Sequence, residues 1–265
     1  MEDRERWSGV AEAFTRSFGR LCAGTVDSVL ADLGEPTAGG LADIGCGTGN
    51  VTRVAVGRGW RVTAVDADSQ MLDVARRRCA GLPVGWVRAA LPRTGLRSGT
   101  LDAVVANFVV NCVDDPVAAT RELMRVVRPG GLVALTVWAR RTTAHTRLIA
   151  EALAAAGAPS ARGGGLPADL DFDRTPPGLA GLARAAGLEP LQAREITWEW
   201  SVSWDDLWAG IAGGVGSTGQ DYLAQPPAIR ERVRHELRDR TDPLEVDGTI
   251  RLPSIAVAVL ARRPH

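Results

Sequence analysis

The chain of 265 residues contains no lysine; apart from three histidines, every basic side chain is arginine. Without a lysine amine there is no Schiff base to hold pyridoxal phosphate and no P-loop lysine to reach a nucleotide's phosphates. Cysteine is sparse and scattered. Cys22, Cys46, Cys79 and Cys112 never form a CxxC pair, which argues against a zinc ribbon or a disulfide framework and for buried free thiols. Neither sign of charge predominates: 31 arginines balance 31 Asp and Glu, so a broad electrostatic grip on nucleic acid is disfavoured. No apolar run approaches the ~20 residues that cross a bilayer. The opening "MEDRERWSGV" is charged, unlike a signal peptide. These absences lead to the expectation of a cytoplasmic protein, monomer or homodimer, with no membrane or nucleic-acid partner.

What is present is ordinary in bulk. Hydrophobic residues make up 45% and charged residues 23%, enough for a sizeable core. The length fits one α/β domain with insertions, or two small domains. Val10, Phe14, Phe18, Leu21 and Cys22 fall at helical spacing, so the first segment reads as one or two amphipathic helices. A strand–helix rhythm follows: "LADIGC", "WRVTAVD", "PVGWVRA", "LDAVVANFVV" and "GLVALTVW" read as strands, with helices in "NVTRVAVGRG", "SQMLDVARRRCAG" and "DPVAATRELMRVV" between them. The last of these helices is expected to begin at an Asp cap and stop at "RPGG". Strands apolar along their length and alternating with helices imply a parallel sheet covered on both faces. The ligand crevice then lies at the carboxyl ends of the strands, by the switch point next to the first.

After Trp138 the rhythm breaks. "HTRLIAEALAAAG" reads as a helix, "PSARGGGLPADLDFDRTPPG" as a loop and "LAGLARAAG" as a short helix. "LEPLQAREITWEWSV" alternates like a strand, "SWDDLWAG" and "PPAIRERVRHELRDR" are helical, and "SIAVAVLARR" is a final strand.

The chemistry concentrates in "LADIGCGTGN". Glycines at 45, 47 and 49 let the backbone turn sharply and approach a ligand. The spacing is GxGxG rather than the GxGxxG of dinucleotide sites. Asp43 beside the turn would repel a pyrophosphate but suits a cation. Asp66 ends the second strand about 20 residues on, where an acid commonly binds ribose hydroxyls. A positively charged nucleoside without phosphate fits both details, and S-adenosylmethionine (SAM) is one. The alternative is that Asp43 and Asp66 only cap neighbouring turns.

In order and spacing, "LADIGCGTGN", "VTAVDADSQML", "LDAVVANFVVN" and "LMRVVRPGGLVALTVW" resemble the class I SAM-dependent methyltransferases. The resemblance is to their small-molecule branch, which includes quinone-biosynthesis and antibiotic-tailoring enzymes. It covers residues 41–138. It implies an α/β fold with a Rossmann-like, doubly wound seven-stranded sheet, parallel except for an antiparallel C-terminal hairpin, with N-terminal helices and a helical lid insertion. The corresponding division is 1–40 (helical cap), 41–138 (SAM-binding core), 139–250 (remaining core with lid insertions) and 251–265 (edge strand). By the resemblance Asp43, Gly45, Cys46, Gly47 and Gly49 line the methionine half of the donor. Asp66 accepts the ribose hydroxyls, Ala67 and Met71 flank the adenine, and the backbone around Ala106 and Asn107 receives the ammonium group. Where the family commonly has an adenine-binding Asp, this chain has Ala90, which leaves the adenine to backbone amides near Ala90 and Leu91.

Methyl transfer from a sulfonium is an in-line displacement, so alignment carries much of the rate. A base is needed only for a nucleophile that holds its proton. His145 is a candidate base or a helix-start histidine, and Asn111 orients a substrate hydroxyl or caps a helix. Tyr222, the one tyrosine, lies in a lid or packs a core. "DLDFD" at 169–173 reads as a solvated loop, with no metal expected. Trp7, Phe14, Phe18, Trp138, Trp208 and Tyr222 are candidates for the walls of an acceptor pocket, against the alternative of an aromatic core. The expected activity is methyl transfer to an O, N or C atom of a small apolar or aromatic metabolite, as in natural-product tailoring. Alternatives are a SAM-dependent cyclisation or rearrangement, a non-catalytic SAM-binding subunit, and, least favoured, an NAD-dependent oxidoreductase.

Overall fold

The structure is a computed structural model that describes residues 7–36, 39–141, 143–158 and 166–265. The "PSARGGG" part of the expected long loop lies outside the described residues.

In chain order the elements begin with three short helices, α1 (Ala11–Arg16), α2 (Phe18–Ala23) and α3 (Val26–Asp32), where the sequence suggested one or two. The chain breaks at Ser17, whose backbone (φ −112°, ψ −102°) is non-helical. The alternating region follows: β1 (Leu41–Ile44), α4 (Asn50–Gly57), β2 (Val62–Asp66), α5 (Ser69–Arg78), β3 (Val84–Arg88), β4 (Leu101–Asn107), α6 (Pro116–Val126) and β5 (Val127–Trp138). Then come α7 (Ala144–Ala155), α8 (Pro176–Ala185), β6 (Glu189–Val202), α9 (Trp204–Ala212), α10 (Gly216–Leu223), α11 (Pro227–Thr241), β7 (Glu245–Val246) and β8 (Thr249–Arg262).

The sheet runs β3-β2-β1-β4-β5-β8-β6, with the two-residue β7 paired to β8 off this path. Neighbours from β3 to β5 are parallel, and β8 is antiparallel to β5, from Leu132↔Arg262 to Trp138↔Ala256. Chain order reverses beside β1, which has β2 on one side and β4 on the other. In register, Asp43 lies opposite Ala64 of β2 and Val105 of β4.

Several boundaries differ from expectation for local reasons. β4 stops at Asn107, not Val110, because Phe108 adopts φ +59°, which no strand accommodates. β5 begins at Val127 and takes in the expected stop "RPGG". α8 starts two residues past Arg174, at Pro176. Its prolines occupy the first turn, where their missing N–H costs nothing, and Thr175 Oγ1 accepts the Gly178 amide at 3.3 Å. Asp115 does the same for α6, accepting the Ala118 amide at 2.8 Å.

The chain clusters into two compact units. One comprises Thr25–Arg140, Leu166–Ile196 and Ile255–His265; the other Met1–Gly24, Arg141–Gly165 and Thr197–Ser254. In the first unit, Leu123 and Val126 of α6 and Leu179, Leu182 and Ala183 of α8 pack on Ile44, Val104, Val133, Leu135 and Val257 of the sheet. Leu72 of α5 joins Cys46 and Ala64 in a second cluster. In the second unit Arg16 and Arg20 both pair with Asp206 of α9, at 2.9 and 3.1 Å. Trp204 and Trp208 stack with centroids 5.7 Å apart, as side chains four residues apart on a helix should. Among the described residues, no helix is long and apolar enough to cross a membrane.

Candidate functional site

The site is built where β1 ends. Gly45, Gly47 and Gly49 have φ of +68°, +52° and +84°, which L side chains rarely adopt. At Gly45 the constraint is double, since a Cβ would also lie 2.5 Å from Val109 Cγ2. The Gly45 and Cys46 amides both donate to the Val65 carbonyl, at 2.8 and 3.0 Å, so pairing with β2 continues into the turn. The Gly49 amide closes the turn on the Cys46 carbonyl at 2.9 Å. The Cys46 side chain is buried, and burial raises its thiol well above the usual range.

Two acids frame this turn, and each is already engaged. Asp43 is 1% exposed and points to the start of α4, where its Oδ2 accepts the Thr52 amide at 2.9 Å and the Thr52 hydroxyl at 2.6 Å. Burial pushes its carboxyl up to about 7, against the two Thr52 hydrogen bonds. Asp66, at the tip of β2, accepts the Gly47 amide on Oδ2 at 2.8 Å and the Asp68 amide on Oδ1 at 2.9 Å. Burial raises its carboxyl too. Each carboxylate oxygen has two lone pairs, so Asp66 keeps capacity for two further donors.

Beyond Asp66, the Ala67 carbonyl accepts Arg88 Nε at 3.3 Å. Met71 is buried, and Asp68 caps its amide at 2.9 Å. Ala90 bridges to Arg93, and Leu91 packs on the main core. On the β4 side, Asn107 Oδ1 accepts hydroxyls from Thr25 (2.8 Å) and Thr136 (2.5 Å), so its side chain serves the fold. Asn111 does not cap a helix; Asp115 does that for α6, and the Asn111 amide nitrogen donates to Cys112 Sγ at 3.2 Å. Phe108 stacks on Trp138, with centroids 4.1 Å apart and planes 27° apart. That aromatic pair joins the ends of β4 and β5.

Trp7, Phe14, Phe18, His145, Trp208 and Tyr222 belong to the other unit, and the 169–173 loop to the first. His145 is in the first turn of α7, and there it is buried, 7% exposed. It packs against Phe18 (6.0 Å) and Trp200 (5.9 Å), and its Nδ1 is 2.9 Å from Thr143 Oγ1. Burial lowers its pKa to about 4, which keeps the ring neutral at pH 7. Trp7 meets Phe14 edge-on at 5.7 Å, and Trp208 meets Tyr222 at 5.2 Å. In the 169–173 loop, Asp171 pairs with Arg174 (2.7 Å) and Asp173 with Arg140 (3.3 Å). Among the described residues no three His, Cys, Asp or Glu gather as a metal site.

Thr52, Arg78 and Phe108 are absent from the sequence-derived set. Nothing in "NVTRVAVG" marks Thr52 as the partner of an acid nine residues earlier. Arg78 is the last of three consecutive arginines, with nothing to single it out. The positive φ of Phe108 leaves no trace in "ANFVVN", since neither Gly nor Asn stands there.

Residues 42–135 match the protein family described as "Methyltransferase domain". The malonyl-[acyl-carrier protein] O-methyltransferase of Serratia marcescens is 38% identical over 135 residues, 47% of this chain and 50% of that protein. A ubiquinone/menaquinone biosynthesis C-methyltransferase of Desulfotalea psychrophila is 31% identical over 106 residues, 39% of this chain and 43% of that protein. The chain thus spans about half the length of the curated relatives it matches. Among solved structures, geranyl diphosphate methyltransferase in complex with SAM superposes with a TM-score of 0.51 at 19% identity, covering 91% of this chain and 85% of that one.

Proposed function

We propose that this chain, whose residues 42–135 match the "Methyltransferase domain" family, transfers a methyl group from SAM to an O, N or C atom of a small apolar or aromatic metabolite. One observation carries the proposal: bare main chain at Gly45–Gly49 lies beside a β2-tip carboxylate that already holds Gly47 and has capacity left for two more donors. The residues fit the donor. A Cβ at Gly45 would strike Val109, so the turn is held without a side chain there, and ribose hydroxyls are donors that the two Asp66 oxygens can still accept. The relatives named as methyltransferases of quite different acceptors support the class of reaction and leave the acceptor open.

Gly45, Gly47 and Gly49 would receive the methionine half, Asp66 the ribose, and Ala67, Met71, Ala90 and Leu91 the adenine. When bound, the donor supplies a methyl carbon already activated by its sulfonium. What the chain must add is alignment and exclusion of water. Asp43 acts from behind, fixing the first turn of α4 through Thr52 and so the exit of the glycine turn. The Phe108–Trp138 pair offers a flat apolar surface at the carboxyl ends of β4 and β5, which supports an aromatic or apolar acceptor. Asn111 is the polar group of the same turn and orients a substrate hydroxyl or amine. Natural-product tailoring is the setting that such an acceptor suggests.

Isothermal titration with SAM and S-adenosylhomocysteine tests donor binding, with saturable one-site heat expected from both. Product mass then tests the transfer, since the acceptor should gain one methyl. No heat at millimolar ligand would remove the proposal.

A further inference from the structure

We infer that Arg78 is the positioning residue of the glycine turn, and that it sets affinity for the amino-acid half of the donor while leaving the adenosine half to Asp66. This rests on the proposed donor.

Arg78 is the last residue of α5. Its Nη1 donates to the Thr48 carbonyl at 2.7 Å and to Thr48 Oγ1 at 2.9 Å, and its Nη2 donates to Asn50 Oδ1 at 3.0 Å. Thr48 is buried, while Arg78 and Asn50 are half-buried, so these hydrogen bonds are partly shielded from water. Thr48 and Asn50 bracket Gly49, the left-handed residue that starts α4. The turn is therefore suspended between two charged groups: Asp66 takes the Gly47 amide, and Arg78 takes the carbonyl one residue later. A guanidinium does this well because its planar fork presents donors on two nitrogens at fixed separation, which an ammonium lacks.

The two anchors are not equivalent. Ribose hydroxyls arriving at Asp66 would share its two oxygens with the Gly47 and Asp68 amides. The contacts of Arg78 involve no atom that a ribose would approach, so they hold the turn throughout binding. Loss of Arg78 should loosen the main chain that meets the methionine half. The β2 tip, where the adenosine half would be held, keeps the Asp68 amide on Asp66 Oδ1 whether or not Arg78 is present.

The experiment compares two ligands on the full chain, S-adenosylhomocysteine and 5′-methylthioadenosine, which lacks the amino-acid portion. Arg78→Ala should weaken the first about tenfold or more, the scale of charge-assisted hydrogen bonds, and change the second by less than about twofold. Arg78→Lys should fall between. Equal weakening of both ligands would make Arg78 a fold residue only and overturn the inference, as would unchanged affinity for both. If wild type binds neither ligand, the donor itself is wrong and the inference falls with it; if wild type binds and the variant binds alike, the donor stands and only the inference falls. Should Arg78→Ala fail to fold, Asn50→Ala and Thr48→Val each remove one contact. A smaller loss confined to S-adenosylhomocysteine is expected from both, and no difference between the ligands would refute the role.

Discussion

Asp66 Oδ2 accepts the amide proton of Gly47 across 2.8 Å, so the acid at the tip of β2 already holds the turn that leaves β1. Asp66→Ala should therefore act twice. It strips the ribose of its acceptor and leaves the Gly47 and Asp68 amides without theirs. S-adenosylhomocysteine affinity should fall at least about tenfold, and stability by about 1–3 kcal/mol. Calorimetric titration beside urea unfolding checks both, and a variant with wild-type affinity would remove Asp66 from the donor site.

Gly45→Ala meets two obstacles, a φ of +68° and Val109 Cγ2 at 2.5 Å from the new Cβ. A loss of about 1–3 kcal/mol is expected. Val109→Ala in the same chain should restore part of it, because the clash goes and the backbone strain stays. A double variant no more stable than Gly45→Ala would show that Val109 is not what crowds the turn.

His145 contributes a pH dependence with a definite sign. Its folded pKa of about 4 lies below the usual 6.5, so between these values the unfolded chain binds the extra proton. The stability it contributes is whole above pH 6.5 and is lost as pH falls towards 4, amounting to roughly 3 kcal/mol. The difference in unfolding free energy between wild type and His145→Gln should shrink by that amount from pH 7 to pH 4. A difference independent of pH would mean that the ring is hydrated and titrates normally.

Asp43 has the opposite sign. Its folded pKa of about 7 exceeds the usual 3.8, so the folded chain keeps a proton that the unfolded one has lost. Stability is greatest below pH 3.8 and falls by roughly 4 kcal/mol as pH rises through 7. Asp43→Asn should flatten that slope, gaining on wild type between pH 4 and pH 8. In the wild type the two slopes oppose each other from pH 4 to 6.5, so only single variants expose either one. A slope unchanged in Asp43→Asn would place its origin elsewhere.

The strand–helix alternation and the glycine turn were legible because periodicity and glycine spacing record backbone geometry directly. "LADI" is buried throughout, and "VTAVD" and "LDAVVAN" are buried except at Thr63, Asp66, Leu101 and Asn107. Asp66 was legible for the same reason, being the first polar residue after an apolar strand. The partners of the acids were not. Thr52 and Arg78 reach Asp43 and Thr48 through side-chain directions that only the folded turn defines. The burial of His145 depends on Phe18 and Trp200, 127 and 55 positions away. The early end of β4 comes from one backbone angle at Phe108 for which phenylalanine has no preference.

The most direct measurement is a crystal structure of the chain grown with S-adenosylhomocysteine. The expected density has both ribose hydroxyls on Asp66 and the amino-acid tail against the main chain of Gly45 to Gly49, with Arg78 still on Thr48. Density for a diphosphate in that cradle, or side chains occupying it while the ligand sits elsewhere, would contradict a sulfonium nucleoside site at the β1 tip.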